Sequence, residues 1–224
     1  MPPRRPLPII AVIGPALAIL AALALALAGP GTRAGWWDFR TGFTFLRYAA
    51  YGGIAAVSFS LLGALATRPG SGRRGFLLSL LGMALGAAAI AVPWSFRRGG
   101  MAAPPIHDIT TDTRNPPRFV AVLPLRADAA NPAEYGGDSV AAQQRSAYPD
   151  IVPLALTVPP ARAYSAALAT ARASGWEIVA ADSAEGRVEA TDRTRWFGFR
   201  DDVVVRVAAD GAGSRVDVRS VSRV

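Results

Sequence analysis

The feature that most restricts this 224-residue chain is a set of three apolar runs with no charge inside them. The first, residues 7–28, reads LPIIAVIGPALAILAALALALA; the second extends from Tyr48 to Ala66 and the third from Phe76 to about Trp94. About 20 helical residues cross a hydrocarbon core of roughly 30 Å, so each run is long enough to span a bilayer. Gly14 and Pro15 would kink a soluble helix but are tolerated in a spanning one. A mean hydropathy of +0.27 and a charged fraction of only 18% fit three transmembrane helices better than a soluble core. The first run also has features of a cleaved secretory signal, with Arg4 and Arg5 ahead of it and Ala26-Leu27-Ala28 at its end. It exceeds the roughly 7–15 residues usual for a signal's apolar region, so an uncleaved span is the expectation.

Short loops set the expected orientation. Arg68, Arg73 and Arg74 lie in RPGSGRRG between the second and third runs, and so short and basic a loop stays cytoplasmic. Residues 29–47, read as the loop before the second run, contain Trp36 and Trp37, an interfacial belt for the opposite side. Arg97 and Arg98 argue the other way, so the total arginine count does not decide the matter. The expected arrangement is a multi-pass protein of the bacterial inner membrane, N-terminus cytoplasmic and C-terminal domain periplasmic.

All 24 basic residues are arginine, against 16 acids. Ten arginines precede residue 101 with one acid, Asp38; fourteen arginines and fifteen acids follow. The net charge of +8 therefore belongs to the hydrophobic half, where it flanks the apolar runs. That is the distribution of membrane flanks, not of a face that tracks phosphates, so the expected partners include membrane lipids and no nucleic acid. The absence of cysteine excludes disulfides and thiolate metal sites, and a single histidine argues against histidine-dependent triads. No cofactor or metal is expected. The runs contain no Asp, Glu or His, the residues that mark pumps and proton relays. Gly82-x-x-x-Gly86 permits close helix approach, and packing within the bundle is expected over dimerisation.

From Gly99 the composition shifts to Pro, Asp, Thr and Asn, so residues 99–150 read as an extended Pro/Gly-rich arm. Beyond it, Pro159-Pro160 opens a helix whose apolar face is Ala163, Ala166, Ala167, Leu168 and Ala171, stopped by Gly175. WEIVAAD and RVEATD read as a hairpin, DDVVVRVAAD as a third strand and SRVDVRSVSRV as a fourth. The expected fold is therefore three transmembrane helices (1–98), the arm (99–150), and a small α+β domain (151–224). In that domain one helix lies on a four-stranded, mainly antiparallel sheet.

The stretches HDITTDTRNPPRF, YPDI, GWEIVAAD, GRVEATDRTRWFGFRDDVVVRV and SRVDVRSVSRV resemble the bacterial and plastid family DUF1499 over roughly residues 104–224. That family is a domain of unknown function that often follows hydrophobic spans, so the resemblance implies an identity without an activity. It also implies a glycine, an aspartate and a basic helix after the last strand, whereas the sequence stops at Val224. Val221 is accordingly expected to lie uncovered, on the face opposite Val216 and Val218.

Two polar groups are candidates for chemistry. His107 and Asp108, with Thr110, Thr111 and Asp112, lie on the arm. Histidine beside carboxylates is a combination that binds metals or exchanges protons, but the expected role is capping turns and pairing arginines. The second group is Asp201, Asp202, Arg206, Asp217, Arg219 and Arg223. Alternation puts Arg206 opposite Val205 and Val207, and Asp217, Arg219 and Arg223 opposite Val216 and Val218. Cross-strand Asp–Arg pairing is expected; the same arginines suit an anionic ligand such as a phospholipid head group or a carboxylate. Neither Ser220 nor Ser222 sits in a nucleophile elbow. The functional expectation is a non-enzymatic binding, assembly or scaffolding factor of the cell envelope, with an envelope protein or lipid as partner. The alternative is an envelope hydrolase or lipid-modifying enzyme using His107-Asp108 with Asp201 and Asp202. It requires His107 within hydrogen-bond reach of one of those carboxylates, beside an open pocket.

Overall fold

The computed structural model describes residues 5–224; Arg4 lies outside the described residues. Packing divides the chain into two units, residues 1–102 with 196–198, and residues 103–195 with 199–224.

The first unit is a bundle of α1 (Ile10–Arg33), α2 (Phe39–Ala66) and α3 (Phe76–Ala102), each packed on the other two. All three are long and apolar enough to cross a membrane. They overrun the lengths read from hydropathy. Helix α1 continues through Gly29 and Pro30 to Arg33, and α2 starts at Phe39 rather than Tyr48. The connection expected over residues 29–47 is thus only residues 34–38. Its end is set by a cap: Asp38 Oδ1 accepts from the Thr41 N–H at 2.9 Å. Hydropathy registers only the charge-free part of a helix, whereas capping and backbone hydrogen bonds determine where it stops.

The bundle has its side chains reversed relative to a soluble core. Ala18, Ala28, Ala49 and Ala56 are fully buried, while Leu20, Leu62 and Leu77 are 63%, 52% and 78% exposed. Water would strongly disfavour that arrangement; hydrocarbon does not, because lipid tails cover leucine and small residues let backbones approach. Gly82 and Gly86 serve that approach. A Cβ on Gly86 would lie 2.9 Å from the Gly53 carbonyl oxygen, and one on Gly82 would lie 2.9 Å from the Pro15 nitrogen. The pair packs inside the bundle.

The second unit is an antiparallel sheet of six strands, not the four expected. The strands are β1 (Asp108–Thr110), β2 (Leu154–Leu156), β3 (Glu177–Asp182), β4 (Arg187–Arg193), β5 (Arg200–Asp210) and β6 (Gly213–Ser222). Their order is β1-β6-β5-β4-β3, with β2 also on β6. β1 and β2 lie along one edge of β6, in register as Ile109↔Ser220 and Ala155↔Arg215. Three-residue strands are too short to carry an alternation, so their identity comes from the edge they complete. The segment read as an arm is also structured, with a 3-10 turn at Leu123–Arg126 and helix α4 (Gly137–Ala147). Gln144 of α4 is buried and grips the outer edge of β1: its Oε1 accepts from the Thr110 N–H at 2.9 Å and its Nε2 donates to the Thr110 carbonyl at 2.6 Å. That closes an edge open to further pairing.

Helix α5 (Pro160–Ala173) covers the other face, as the alanine pattern implies. It ends at Gly175, whose φ of 80° suits a residue without Cβ, and the Gly175 and Trp176 amides bond back to Arg172 and Ala171. Ala163, Tyr164, Val188, Val205, Val207 and Val216 form the core beneath it.

Candidate functional site

Strand parity places Val203, Val205 and Val207 under α5 and turns Asp202, Val204 and Arg206 the other way. The paired positions on β6 and β4 add Arg215, Asp217, Arg219 and Val221, with Arg187, Glu189 and Thr191, to this second face. A polar face would ordinarily meet water. Here residues from the arm lie over it, and Phe119 and Val122 pack against Val204 and Val221 in a second apolar cluster. Val221, expected to be uncovered, is 1% exposed. Covering the face removes its charges from water, and buried charges require partners.

Each carboxylate on the covered face is matched by arginine. Asp202 is fully buried and accepts from Arg126 Nη1, from Arg223 Nε at 2.9 Å and Nη2 at 2.7 Å, and from Thr191 Oγ1 at 2.7 Å. Burial raises its pKa, but the hydrogen bonds from Arg223, Thr191 and Arg126 outweigh that and hold it below the ordinary 3.8. Arg126 and Arg223 also donate to the carbonyls of Asn131 and Leu125, which fastens the arm to the sheet. Asp217 and Asp112 share Arg206 and Arg215 in a closed group of four, with N···O distances of 2.8–3.1 Å. Asp112 is lowered as well: burial opposes, but the amides of Asn115 and Arg114 and the charges of Arg215 and Arg206 prevail.

Arg219 forms a bidentate pair with Asp108, at 2.9 and 2.7 Å, and donates to the carbonyls of Pro117 and Ala133. Its guanidinium lies 5.1 Å from the Phe119 ring centroid and 5.5 Å from that of Tyr135. Glu189, also fully buried, accepts from the amides of Val120 and Val122 at 3.0 Å. Arg187 Nε sits 3.0 Å from Glu189 Oε1, close enough for charge attraction although the N–H is poorly aligned for a hydrogen bond.

The sequence candidates thus separate. Asp108, Asp202, Arg206, Asp217, Arg219 and Arg223 all belong to this covered face. Asp201 points to the opposite side of β5 from Asp202, because neighbours on a strand alternate. His107 is exposed; its carbonyl accepts from the Ser222 amide, and no hydrogen bond joins its imidazole to Asp201 or Asp202. With four donors on its two oxygens, Asp202 has no lone pair directed at a substrate proton. Among the described residues, no three His, Asp or Glu side chains gather as a metal site would require. Glu189 and Arg126 escape the sequence candidates. Glu189 is legible as the outward position between Val188 and Ala190, whereas Arg126 lies in an aperiodic segment and gives no signal.

A family model described as "Protein of unknown function (DUF1499)" matches residues 108–224. The chain belongs to the DUF1499 family. No curated protein and no solved structure matches it. The DUF1499 match begins at Asp108, the partner of Arg219, so it takes in the arm as well as the sheet. Both sides of every ion pair described above therefore lie within the DUF1499 region.

Proposed function

We propose that this DUF1499 chain is a non-enzymatic binding factor of the bacterial envelope, anchored in the inner membrane by α1–α3 and holding its sheet domain in the periplasm. The observation that carries the reading is the reversed bundle, with alanine and glycine inside and leucine outside, which matches a hydrocarbon surround. Orientation rests on Arg68, Arg73 and Arg74, all in the exposed turn between α2 and α3, which favours a cytoplasmic position for that turn. An odd number of spans then puts the two chain ends on opposite sides. Binding is favoured over catalysis because the buried carboxylates are engaged by arginines. The partner class is an envelope protein or lipid. Alkaline phosphatase fused after Val224 should be active in cells, and the same enzyme fused after Gly72 inactive. The reverse pattern would put the sheet domain in the cytoplasm and overturn the envelope role.

A further inference from the structure

We propose that the sheet domain binds the phosphate group of an amphipathic anion in a cavity beside Arg219, an inference that rests on the binding role above and gives it a ligand class. The cavity measures about 510 Å3, within the roughly 300–1,000 Å3 usual for small-molecule sites. One wall is the stack of Phe119, Arg219 and Tyr135. Arg219 is neutralised by Asp108 and fixed by two carbonyls, so it gives rigidity more than charge. The Tyr135 hydroxyl is buried without a hydrogen-bond partner, an uncommitted donor in the same wall.

Charge for a ligand comes from Arg114 and Arg118, which also line the cavity. Among the described residues neither guanidinium has a hydrogen bond or ion pair. The backbone carrying Arg114 is nevertheless held in place, because Asp112 Oδ1 accepts from the Arg114 and Asn115 amides at 3.1 and 2.9 Å. Glu134 is the acid in the lining, so the lining stays net positive even with Arg219 neutralised. Two free planar forks suit a phosphate, which has oxygens enough for both; one arginine saturates a carboxylate. The apolar part of the ligand is met by Leu123, which lines the cavity and is exposed, with exposed Val120 and Leu125 nearby in sequence. Arginines beside uncovered leucine and valine recognise a molecule that is anionic at one end and apolar at the other.

The test uses the full chain in a neutral detergent, titrated with dihexanoyl phosphatidylglycerol and, separately, with glycerol 1-phosphate. Saturable binding of the lipid is expected, with glycerol 1-phosphate competing for the site at lower affinity. Arg114→Gln with Arg118→Gln should weaken lipid binding about tenfold or more, since each charged hydrogen bond is worth that order. The thermal transition should be unchanged, because neither side chain has a partner to lose. Arg162→Gln with Arg172→Gln, exposed on α5, should leave affinity unaltered. Three results would each overturn the proposal: undiminished binding in the cavity variant, an equal loss in the α5 variant, or glycerol 1-phosphate binding as tightly as the lipid. Any of these, with the fusion pattern as expected, removes this ligand and leaves the anchored binding role standing.

Discussion

Replacing Asp202 by alanine is expected to destabilise the sheet domain by about 3–5 kcal/mol, the cost of leaving buried charge without its partner. Arg126 and Arg223 converge on this carboxylate, and their guanidinium groups are 3% and 13% exposed. Removing it strands two cations beneath the arm, so the arm should detach before the hairpin of β3 and β4 unfolds. An exposed acid such as Asp138 replaced by alanine should stay within about 0.5 kcal/mol of the unaltered chain. Urea titration of the detergent-solubilised protein reads both. An Asp202→Ala loss as small as that of Asp138→Ala would mean that the covered face contributes no stability through its ion pairs. The same carboxylates set an acid limb. Asp202 and Asp112 have folded pKa values lowered from 3.8, so the stability they contribute is complete above that value. It is lost as pH falls through the lower folded values, and little change is expected near neutrality from these groups. Asp202→Ala should flatten that acid limb.

The second large effect is expected in the bundle. Gly53 and Gly86 face each other backbone to backbone: a Cβ on Gly53 would lie 2.7 Å from the Gly86 carbonyl oxygen and 3.0 Å from Ile90 Cγ1. Neither neighbour can retreat without separating α2 from α3. Gly86→Leu should therefore destabilise the bundle by about 3 kcal/mol or more, at the upper end of overpacking costs. Gly99 is in the same helix with nothing within 4 Å of its position, so Gly99→Leu should be neutral or slightly stabilising. Thermal denaturation in detergent distinguishes them. Equal behaviour of the two variants would mean that α2 and α3 do not meet at these glycines.

Sequence reasoning reaches the parts of this fold that repeat. Alternation along Val203–Val207 and Val216–Val218 is visible because both strands have one face under α5. The fate of the other face is not visible. Arg206, Asp217 and Arg219 would look the same in sequence whether they met water or one another. What decides is the cover, and Phe119, Val122 and Arg126 sit in a stretch with no period to betray it. The same cause explains Val221, which looks exposed until the arm is laid over it. Asp201 and Asp202 illustrate the opposite case: parity alone separates them, and their adjacency in sequence suggests a pairing that a strand forbids. The short strands β1 and β2 are legible only through β6, since three residues bury too little to declare themselves.

The chain has no cysteine, so single substitutions report topology without background. Ser71→Cys lies in the exposed turn between α2 and α3, and Ser146→Cys on the exposed side of α4. Cells with a permeabilised outer membrane would be treated with a membrane-impermeant maleimide before and after lysis. Ser146→Cys should label in intact cells and Ser71→Cys only after lysis. Labelling of Ser71→Cys before lysis with Ser146→Cys protected, or labelling of both before lysis, would contradict a three-span anchor that holds the DUF1499 domain in the periplasm.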